Sequence, residues 1–575
     1  MIRTMSISLG MLFGAAWLIT GCGGDDSVGA PDGGGDVAVG PEAGLSEAGR
    51  DAAPVIPTVS SWVGTNVAGD MTRVDVSHQL APFDTPSQQK DANGYPVAGA
   101  SGKSATDVGF LLPSGTYKIA YKGDGKLDVS GIGKLTGGWN TVNGEQQNQV
   151  QITGTPGAFG GFLDLTITNS GNQSVHDVRI LFPGFDYANA PTFLPQFTDL
   201  LKPFRALRFM DWEATNGSTM ANWADRPTST SFGASPFGEP LEHEIDLINE
   251  TGKDAWLNIP EHATEDFIHR FAQFVRDRLD FARIDAARDK QGFTTPFRLI
   301  IEDSNEVWNG GFSANKTYLD AANAQPNKYT GTYGGTYGPS WMGQISDLMK
   351  VGKFHGDRIV TIGNIWKQEF GTLGKSSIVA PVLSGWALGA AFSDVSLRFI
   401  KDNYGDPKTY VTYVAIAPYF DADPTTTAAL GTLFTSLNND IVSMDAAFQD
   451  FKKLDAEYGV QIVAYEGGQS LTGTADQPIK HLAQHDQRMY DTYRAYLDFW
   501  KKHFGEALFM HYSLAGTPGI PEFISQYGYW GSIISVLEDP NQCGPNLPTL
   551  LGSESVDSVV HHCPKYRALS EYVPQ

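Results

Sequence analysis

Two glutamates follow short apolar runs that lie far apart along the chain. The first run, residues 299–301, turns abruptly polar and delivers Asn305 and Glu306. The second run, residues 461–465, leads to Glu466 and then to two glycines, which let backbone and substrate approach closely. Such runs are typical of buried parallel strands, whose carboxyl ends carry the reactive groups of α/β barrels. We therefore interpret the two glutamates as a working pair.

A pair of carboxyl groups can cleave a glycosidic bond when one attacks as an anion and the other donates a proton to the leaving oxygen. A retaining enzyme needs the two groups about 5–5.5 Å apart, and an inverting enzyme about 6.5–9.5 Å apart. Taken alone, Glu306 would be a solvated loop carboxylate, but the apolar run before it, the nearby Trp308 and the second glutamate favour catalysis. Glu302 and Asp303 are competing acids, although we expect Glu302 within the strand and Asp303 facing the wrong way.

From Phe204 onward, strand patterns alternate with helical ones. We predict eight strands, at Trp62 and at residues 206–210, 255–259, 299–301, 359–362, 410–416, 462–465 and 508–511. A helix begins near Thr264, which can cap it, and another runs from about 435 to 458 and ends at Gly459. Eight strands with helices between most of them predict an α/β fold of the (β/α)8 TIM barrel type, with the two glutamates on the fourth and seventh strands.

Residues 74–185 have a different pattern. Short alternating runs, such as 116–121 and 162–167, are separated by turns of Gly, Asn, Asp and Ser, which is typical of an antiparallel β-sandwich. We predict that this sandwich is inserted after the first barrel strand, so that residues 56–73 and 186–537 form the barrel. The sequence leaves open whether the insertion binds polysaccharide or only buttresses the barrel.

The first 22 residues combine a short basic start with an apolar run, residues 7–19, that is too short to span a bilayer. The run ends in Leu-Ile-Thr-Gly-Cys, which resembles a bacterial lipobox, and the alternative is an ordinary secretory signal that contains a cysteine. The resemblance implies export and a membrane tether through a lipid on Cys22. Residues 23–55 are mostly Gly, Ala, Asp and Pro and predict a flexible acidic linker.

The tail, residues 538–575, contains Cys543 and Cys563. Two thiols in an exported chain favour a disulfide that pins the last loop. The adjacent His561 and His562 match no familiar zinc spacing, so we predict neither a metal nor a cofactor.

The charge balance argues against a nucleic-acid partner, because 64 Asp and Glu outnumber 41 Lys and Arg and phosphate binding needs a basic face. The chain contains no Gly-x-Ser-x-Gly and no His-Glu-x-x-His, which argues against an esterase or a metallohydrolase. We expect a monomer whose partner is a polysaccharide or an oligosaccharide.

These motifs resemble clan A of the retaining glycoside hydrolases, (β/α)8 barrels that include many cellulases, mannanases, xylanases and β-glycosidases. The resemblance implies Glu306 as the acid/base, Glu466 as the nucleophile and Asn305 as the group that holds the sugar 2-hydroxyl. Arg208 matches an arginine that steadies the nucleophile. Looser matches are His262 after the third strand, Tyr419 after the sixth and Trp530 after the eighth.

The stretch 208–226 is dense in groups that bind sugars, because indoles stack on pyranose faces and Asp, Asn and Arg bond hydroxyls. We predict Asp211, Trp212 and Trp223 as subsite residues, and the alternative is a loop whose aromatic side chains cover the barrel mouth. Two further candidates for substrate binding, Trp308 and Gln469, adjoin the glutamates.

Residues 208–226, 305–309 and 465–469 also resemble a group of bacterial exported proteins that are often labelled as cellulose-binding. The sequence therefore indicates a lipid-anchored, exported hydrolase of β-linked polysaccharides or oligosaccharides with a retaining mechanism. The alternative is a carbohydrate-binding lipoprotein without catalysis.

Overall fold

The computed structural model describes residues 62–67, 72–107, 112–153, 161–331, 333–338, 346–516, 528–533 and 563–572. The first strand, β1 (Val63–Asn66), belongs to the barrel. Gly64 in this strand is required by close approach, since a Cβ there would lie 2.4 Å from Met510 Sδ and 2.8 Å from the carbonyl oxygen of Ala206.

Two antiparallel sheets follow β1 in the sequence. Their strands are β2 (Ser101–Asp107), β3 (Gly115–Lys122), β4 (Lys126–Gly131), β5 (Gly133–Leu135), β6 (Asn140–Val142), β7 (Glu145–Ile152), β8 (Phe162–Thr168) and β9 (His176–Leu181). One sheet has the order β2-β8-β4, and the other has the order β5-β7-β3-β9 with β6 paired to β7. Ile119 and Val150 of the second sheet share one hydrophobic core with Leu127 and Leu165 of the first. The alternating runs thus predicted antiparallel sheets correctly, and their packing as a sandwich stays a prediction.

The two ends of this insertion lie side by side. The backbone N–H of Val74 donates to the carbonyl oxygen of Thr192 at 3.2 Å, and the N–H of Leu194 donates to that of Thr72 at 2.9 Å. The chain therefore returns to the barrel next to the point at which it left.

The remaining strands are parallel and complete the barrel. They are β10 (Ala206–Arg208), β11 (Asp254–Ile259), β12 (Leu299–Asp303), β13 (Val379–Gly385), β14 (Tyr413–Ile416), β15 (Gln461–Ala464) and β16 (Phe509–His511). Each pairs with the next, and β16 pairs with β1, so the predicted closed barrel of eight strands is confirmed. A separate apolar cluster, which includes Ala206, Trp256, Ile300 and Met510, fills its interior.

Helices surround the barrel. They are α1 (Pro195–Leu201), α2 (Leu241–Thr251), α3 (Glu265–Arg278), α4 (Phe281–Gln291), α5 (Ser313–Asn323), α6 (Ser346–Gly371), α7 (Ala390–Tyr404), α8 (Leu430–Ser443), α9 (Asp445–Tyr458), α10 (Gln477–Ala483), α11 (Gln487–Phe504) and α12 (Pro564–Ser570). Thr264 caps α3 as predicted, because its hydroxyl accepts the N–H of Phe267 at 3.2 Å. The single helix predicted over 435–458 is wrong, since the chain breaks at Met444 into α8 and α9.

The predicted fifth strand is also wrong. Residues 359–362 lie in the middle of α6, where Ile359, Val360 and Ile362 belong to the buried face of the helix. The true fifth strand is β13, which contains Pro381. A proline is uncommon inside a sheet because it donates no hydrogen bond to the ladder, so its presence hid this strand.

No helix in the described part of the chain combines the length and the apolar character needed to cross a membrane. The predicted leader and linker, residues 1–55 with Cys22, lie outside the described residues, as does Cys543. Lipidation and the pairing of Cys543 with Cys563 therefore stay predictions.

Candidate active site

Four polar side chains meet at one end of the barrel. Arg208 ends the second strand, Asn305 and Glu306 follow the fourth, and Glu466 follows the seventh. Because the carboxyl ends of parallel strands face the same rim, residues from distant parts of the sequence come together there. Arg208 bonds Asn305 at 2.8 Å and Glu466 at 2.7 Å, which joins the three strand ends directly.

Arg208 uses all five of its N–H donors. Nε and Nη2 donate to Glu302 Oε2 at 3.0 and 2.8 Å, and Nη2 also donates to Asn305 Oδ1 at 2.8 Å. Nη1 donates to Asn66 Oδ1 at 2.9 Å and to Glu466 Oε1 at 2.7 Å. The side chain is 0% exposed, so a fully bonded guanidinium is what its burial requires.

Glu466 is held as a carboxylate from two sides. Its Oε1 accepts from Arg208, and its Oε2 accepts from the Tyr419 hydroxyl at 2.9 Å. Burial raises the pKa of Glu466 above its ordinary value, and the Arg208 cation and the Tyr419 hydrogen bond oppose that rise. The side of the carboxylate that remains accessible is small, since the residue is 5% exposed.

Glu306 has a different environment. Its Oε1 accepts from the Tyr465 hydroxyl at 3.1 Å and its Oε2 from Asn309 Nδ2 at 2.8 Å, so both hydrogen bonds come from uncharged groups. Burial, and next the charge of Glu466, raise the pKa of Glu306 to about 7. The two glutamates are therefore close enough to interact, and Glu306 is the one that keeps its proton.

The backbone that carries Glu306 is unusual. Glu306 has φ of 44° and Ser304 has φ of 59°, both in the left-handed region that side chains other than glycine rarely adopt. Such conformations persist only where the surrounding structure enforces them, and they concentrate at functional sites. Here the two residues flank Asn305 immediately after β12.

Half-buried aromatic side chains border the two carboxyls. Trp308 donates through Nε1 to the Tyr465 hydroxyl at 3.2 Å, and its ring centre lies 6.1 Å from that of Trp386. On another side, Tyr512 packs edge-on against Tyr419 at 6.4 Å and against Trp530 at 5.7 Å. Of the predicted residues, Tyr419 bonds Glu466 directly, Trp308 is linked to Glu306 through Tyr465, and Trp530 packs one ring further away, on Tyr512.

Asp211 also reaches this group. Its Oδ1 accepts from the Tyr512 hydroxyl at 3.2 Å, while its Oδ2 is buried without a hydrogen-bond partner. Burial and the charge of Glu466 raise the pKa of Asp211 to about 7. Of the residues predicted in the stretch 208–226, Arg208 and Asp211 are the ones that contact the site.

The structure places two predicted subsite tryptophans elsewhere. Trp212 is 6% exposed and stacks between Phe193 and Phe197, with ring centres 6.3 and 6.1 Å away. Trp223 packs against Phe267 and other aromatic rings of α3. Trp212 is thus part of the core, and the half-buried Trp223 packs against the core beside α3 without contacting either glutamate.

Gln469 and His262 also lie apart from the bonded cluster. Gln469 is 0% exposed, and its side-chain amide donates to Gln484 at 3.3 Å and to the carbonyl oxygen of Tyr529. His262 is exposed and lies 3.4 Å from Glu261. Neither residue bonds Arg208, Glu306 or Glu466.

Glu302 lies within β12, as expected, but its contact with Arg208 was not predicted. Ile300 points into the barrel, and side chains alternate along a strand, so Glu302 also points inward. Asp303 points outward, as expected, where it accepts from Tyr318 at 2.7 Å and Arg358 at 2.8 Å. The alternation from Ile300 was a signal that could have placed Glu302 beside Arg208.

No group of three or more His, Cys, Asp or Glu side chains within the described ranges could hold a metal ion. What the arrangement offers is proton transfer and nucleophilic attack by carboxyl groups. The buried Glu466 carboxyl is bonded to the Arg208 cation, and the neighbouring Glu306 carboxyl has a raised pKa of about 7.

No protein-family model and no curated protein matches the chain. Among solved structures it is similar to a GH51 arabinofuranosidase from Xanthomonas axonopodis pv. citri, at 13% identity over 58% of this chain and 63% of that one, with a TM-score of 0.35. It is also similar to a 4-O-α-L-rhamnosyl-β-D-glucuronidase from Fusarium oxysporum 12S, at 13% identity over 64% of this chain and 61% of that one, with a TM-score of 0.32.

A third similar structure is a family 39 glycoside hydrolase from the gut symbiont Bacteroides cellulosilyticus WH2, at 11% identity over 86% of this chain and 81% of that one, with a TM-score of 0.30. The chain thus spans less than two thirds of the first two proteins and most of the third. TM-scores this low do not support an inference about fold or function. We therefore assign the fold from the strand pairing and infer the function from the geometry of the site.

Proposed function

We propose that this protein is a retaining glycoside hydrolase that cleaves a β-linked polysaccharide or oligosaccharide by double displacement. The observation that carries the proposal is the asymmetry of two neighbouring carboxyls. Glu466 bonds Arg208 at 2.7 Å, whereas Glu306 bonds uncharged groups and has a pKa of about 7. A nucleophile must be ionised and an acid must be protonated at the same pH, and this arrangement supports both.

In the first step, the Glu466 carboxylate attacks the anomeric carbon and the glycosidic bond breaks. Glu306 donates its proton to the leaving oxygen, and a glycosyl ester of Glu466 forms. In the second step, Glu306, now ionised, takes a proton from a water molecule that attacks the same carbon and releases Glu466. Tyr419 and Arg208 orient Glu466 throughout, because they bond its two oxygens separately.

The side chains around the pair support a sugar subsite. Trp308, Trp386 and Trp530 offer half-buried aromatic faces on which pyranose rings can stack. Asn305 is oriented by Arg208 on its oxygen and by Asn216 on its nitrogen, at 2.8 and 3.0 Å. We propose that Asn305 bonds the sugar hydroxyl next to the anomeric carbon.

A hydrolysis screen of β-linked glucans, xylans and mannans tests the proposal. We expect Glu466→Gln and Glu306→Gln each to lower turnover by at least about a thousandfold. A matched control is Glu261→Gln, because Glu261 is also buried but bonds Ser313 and Thr317 on α5. That variant should keep wild-type turnover if it folds.

Two further readouts distinguish the roles. Glu306→Gln should still cleave aryl glycosides with acidic leaving groups, which need no proton, whereas Glu466→Gln should not. The first product anomer seen by NMR should have the configuration of the substrate. Wild-type turnover in both variants would contradict the proposal. Glycan binding without turnover by the wild type would instead favour the non-catalytic carbohydrate-binding alternative.

We also propose that the protein is exported and anchored to a membrane by a lipid on Cys22. The lipobox-like end of the apolar run and the acidic linker that follows support this proposal. Wild-type protein should incorporate labelled palmitate and fractionate with membranes, and Cys22→Ala should do neither. Unlabelled wild-type protein in the soluble fraction would contradict it.

A further inference from the structure

Glu302 is a third buried carboxyl at the site, and it lies four residues before Glu306 in the chain. Its Oε2 accepts four hydrogen bonds, from Arg208 Nε at 3.0 Å and Nη2 at 2.8 Å, from Trp256 Nε1 at 2.8 Å and from Asn258 Nδ2 at 2.9 Å. The residue is 0% exposed and contacts neither solvent nor any open part of the site. Its link to the exposed part of the site is therefore Arg208.

The bonds from Glu302 fix the plane of the Arg208 guanidinium. Because Nε and Nη2 both donate to the same Glu302 oxygen, one edge of the planar group is held, and Nη1 is left to face Glu466. Trp256 and Tyr465 pack against the group, with ring centres 5.7 and 5.1 Å from Cζ.

The two carboxylates also share one positive charge. Arg208 lies 2.8 Å from Glu302 and 2.7 Å from Glu466, both in a buried environment where charges interact strongly. We propose that Glu302 is a positioning residue that holds Arg208 toward Glu466 and, as its buried countercharge, limits how strongly Arg208 stabilises the Glu466 carboxylate. This inference rests on the proposed function of Glu466 as the nucleophile.

Other ionisable groups face Glu466 from neighbouring elements. They are Arg208, Asp211, Glu302, Glu306, Tyr419 and Tyr512, besides the adjacent Tyr465. Arg208 is the one cation in this set, so removing a carboxylate that competes for it should strengthen its hold on Glu466. A nucleophile that is stabilised more strongly as an anion ionises at lower pH and attacks more slowly.

Two buried glutamates, Glu302 and Glu213, provide a test variant and a matched control. Oε1 of Glu302 has no hydrogen-bond partner, so Glu302→Gln can keep a carbonyl oxygen on all four donors and place its amide nitrogen at the unbonded position. Glu213 is the matched control, because it is also buried, at 4% exposed, and accepts the backbone N–H of Asn258 at 2.7 Å. Burial raises the pKa of Glu213 well above its ordinary range, which favours the uncharged form that Glu213→Gln imitates.

The test measures the titration of the Glu466 carboxyl in two ways, by NMR without substrate and by kinetics with substrate. Protein with ¹³C-labelled glutamate carboxyls is titrated by NMR, and the Glu466 signal is assigned by its loss in Glu466→Gln. In parallel, kcat/KM on an aryl glycoside is measured against pH. We expect Glu302→Gln to lower both the Glu466 titration midpoint and the acid limb by about one pH unit, with at least about a tenfold loss of kcat/KM. Glu213→Gln should change neither.

A third variant, Glu302→Asp, keeps the negative charge but has a side chain that is shorter by one methylene. It should leave the Glu466 titration midpoint unchanged and lower kcat/KM, because Arg208 is held less firmly. An unmoved Glu466 midpoint in Glu302→Gln would overturn the inference. If that variant fails to fold, wild-type kcat/KM in Glu302→Asp would overturn it instead. Absence of hydrolysis by the wild type would contradict the proposed function, and the NMR titration would then decide the electrostatic part by itself.

Discussion

Replacing Glu306 with glutamine should change how the stability of the protein depends on pH. Burial and the Glu466 charge hold the pKa of Glu306 at about 7 in the folded protein, against an ordinary value of 4.5 in the unfolded chain. The folded state therefore binds this proton more tightly, so the contribution of Glu306 is fully present below pH 4.5. It is lost as pH rises toward about 7, and the loss amounts to about 3 kcal/mol at about 1.4 kcal/mol per pH unit.

Urea unfolding at pH 4.5 and pH 8 measures this loss, with tryptophan fluorescence as the signal. Wild-type protein should lose about 3 kcal/mol more than Glu306→Gln between the two pH values, because glutamine does not titrate. Asp211, which also has a pKa of about 7, is present in both proteins and largely cancels in the comparison. Equal losses in the two proteins would refute the reasoning, because Glu306 would then titrate alike in the folded and unfolded states.

Three more predictions concern the same site. Arg208→Lys should lower kcat/KM at least about a hundredfold in steady-state kinetics, since three ammonium donors cannot replace five that reach Glu302 and Glu466 together. Tyr419→Phe removes the 2.9 Å hydrogen bond to Glu466, so the acid limb of the pH profile should move upward with about a tenfold loss of kcat. Trp223→Ala should lower the free energy of unfolding by about 3 kcal/mol in urea while KM stays unchanged, and a raised KM would restore Trp223 as a subsite.

The barrel could be predicted because most of its strands are short apolar runs that are followed by polar residues. The one wrong strand was predicted where that signal is ambiguous. The run 359–362 is β-branched and apolar, which fits a strand or the buried side of a helix equally well, and only the 26-residue length of α6 decides. The true strand β13 has Pro381 in its interior and so violates the rule that was used to find the others.

The two glutamates and Arg208 could be predicted because each stands at a strand end, where position along the chain fixes position in space. The subsite residues could not, because a loop fixes no direction for its side chains. Asp211 and Trp212 are adjacent, yet one contacts Tyr512 at the site and the other is buried against Phe193 and Phe197. Side-chain direction in such a stretch depends on what packs against it, and the sequence does not show that.

The paired ends of the insertion have a consequence for how the molecule can vary. Thr72 bonds Leu194 and Val74 bonds Thr192, so the two ends of the insertion are held together. For the first and second barrel strands, the insertion is therefore equivalent to a tight turn. Closing a longer or shorter loop between two points that are already tied together changes the chain entropy only slightly. The segment can thus be lengthened, trimmed or exchanged in evolution while the strand ends that carry Arg208 and its partners keep their places.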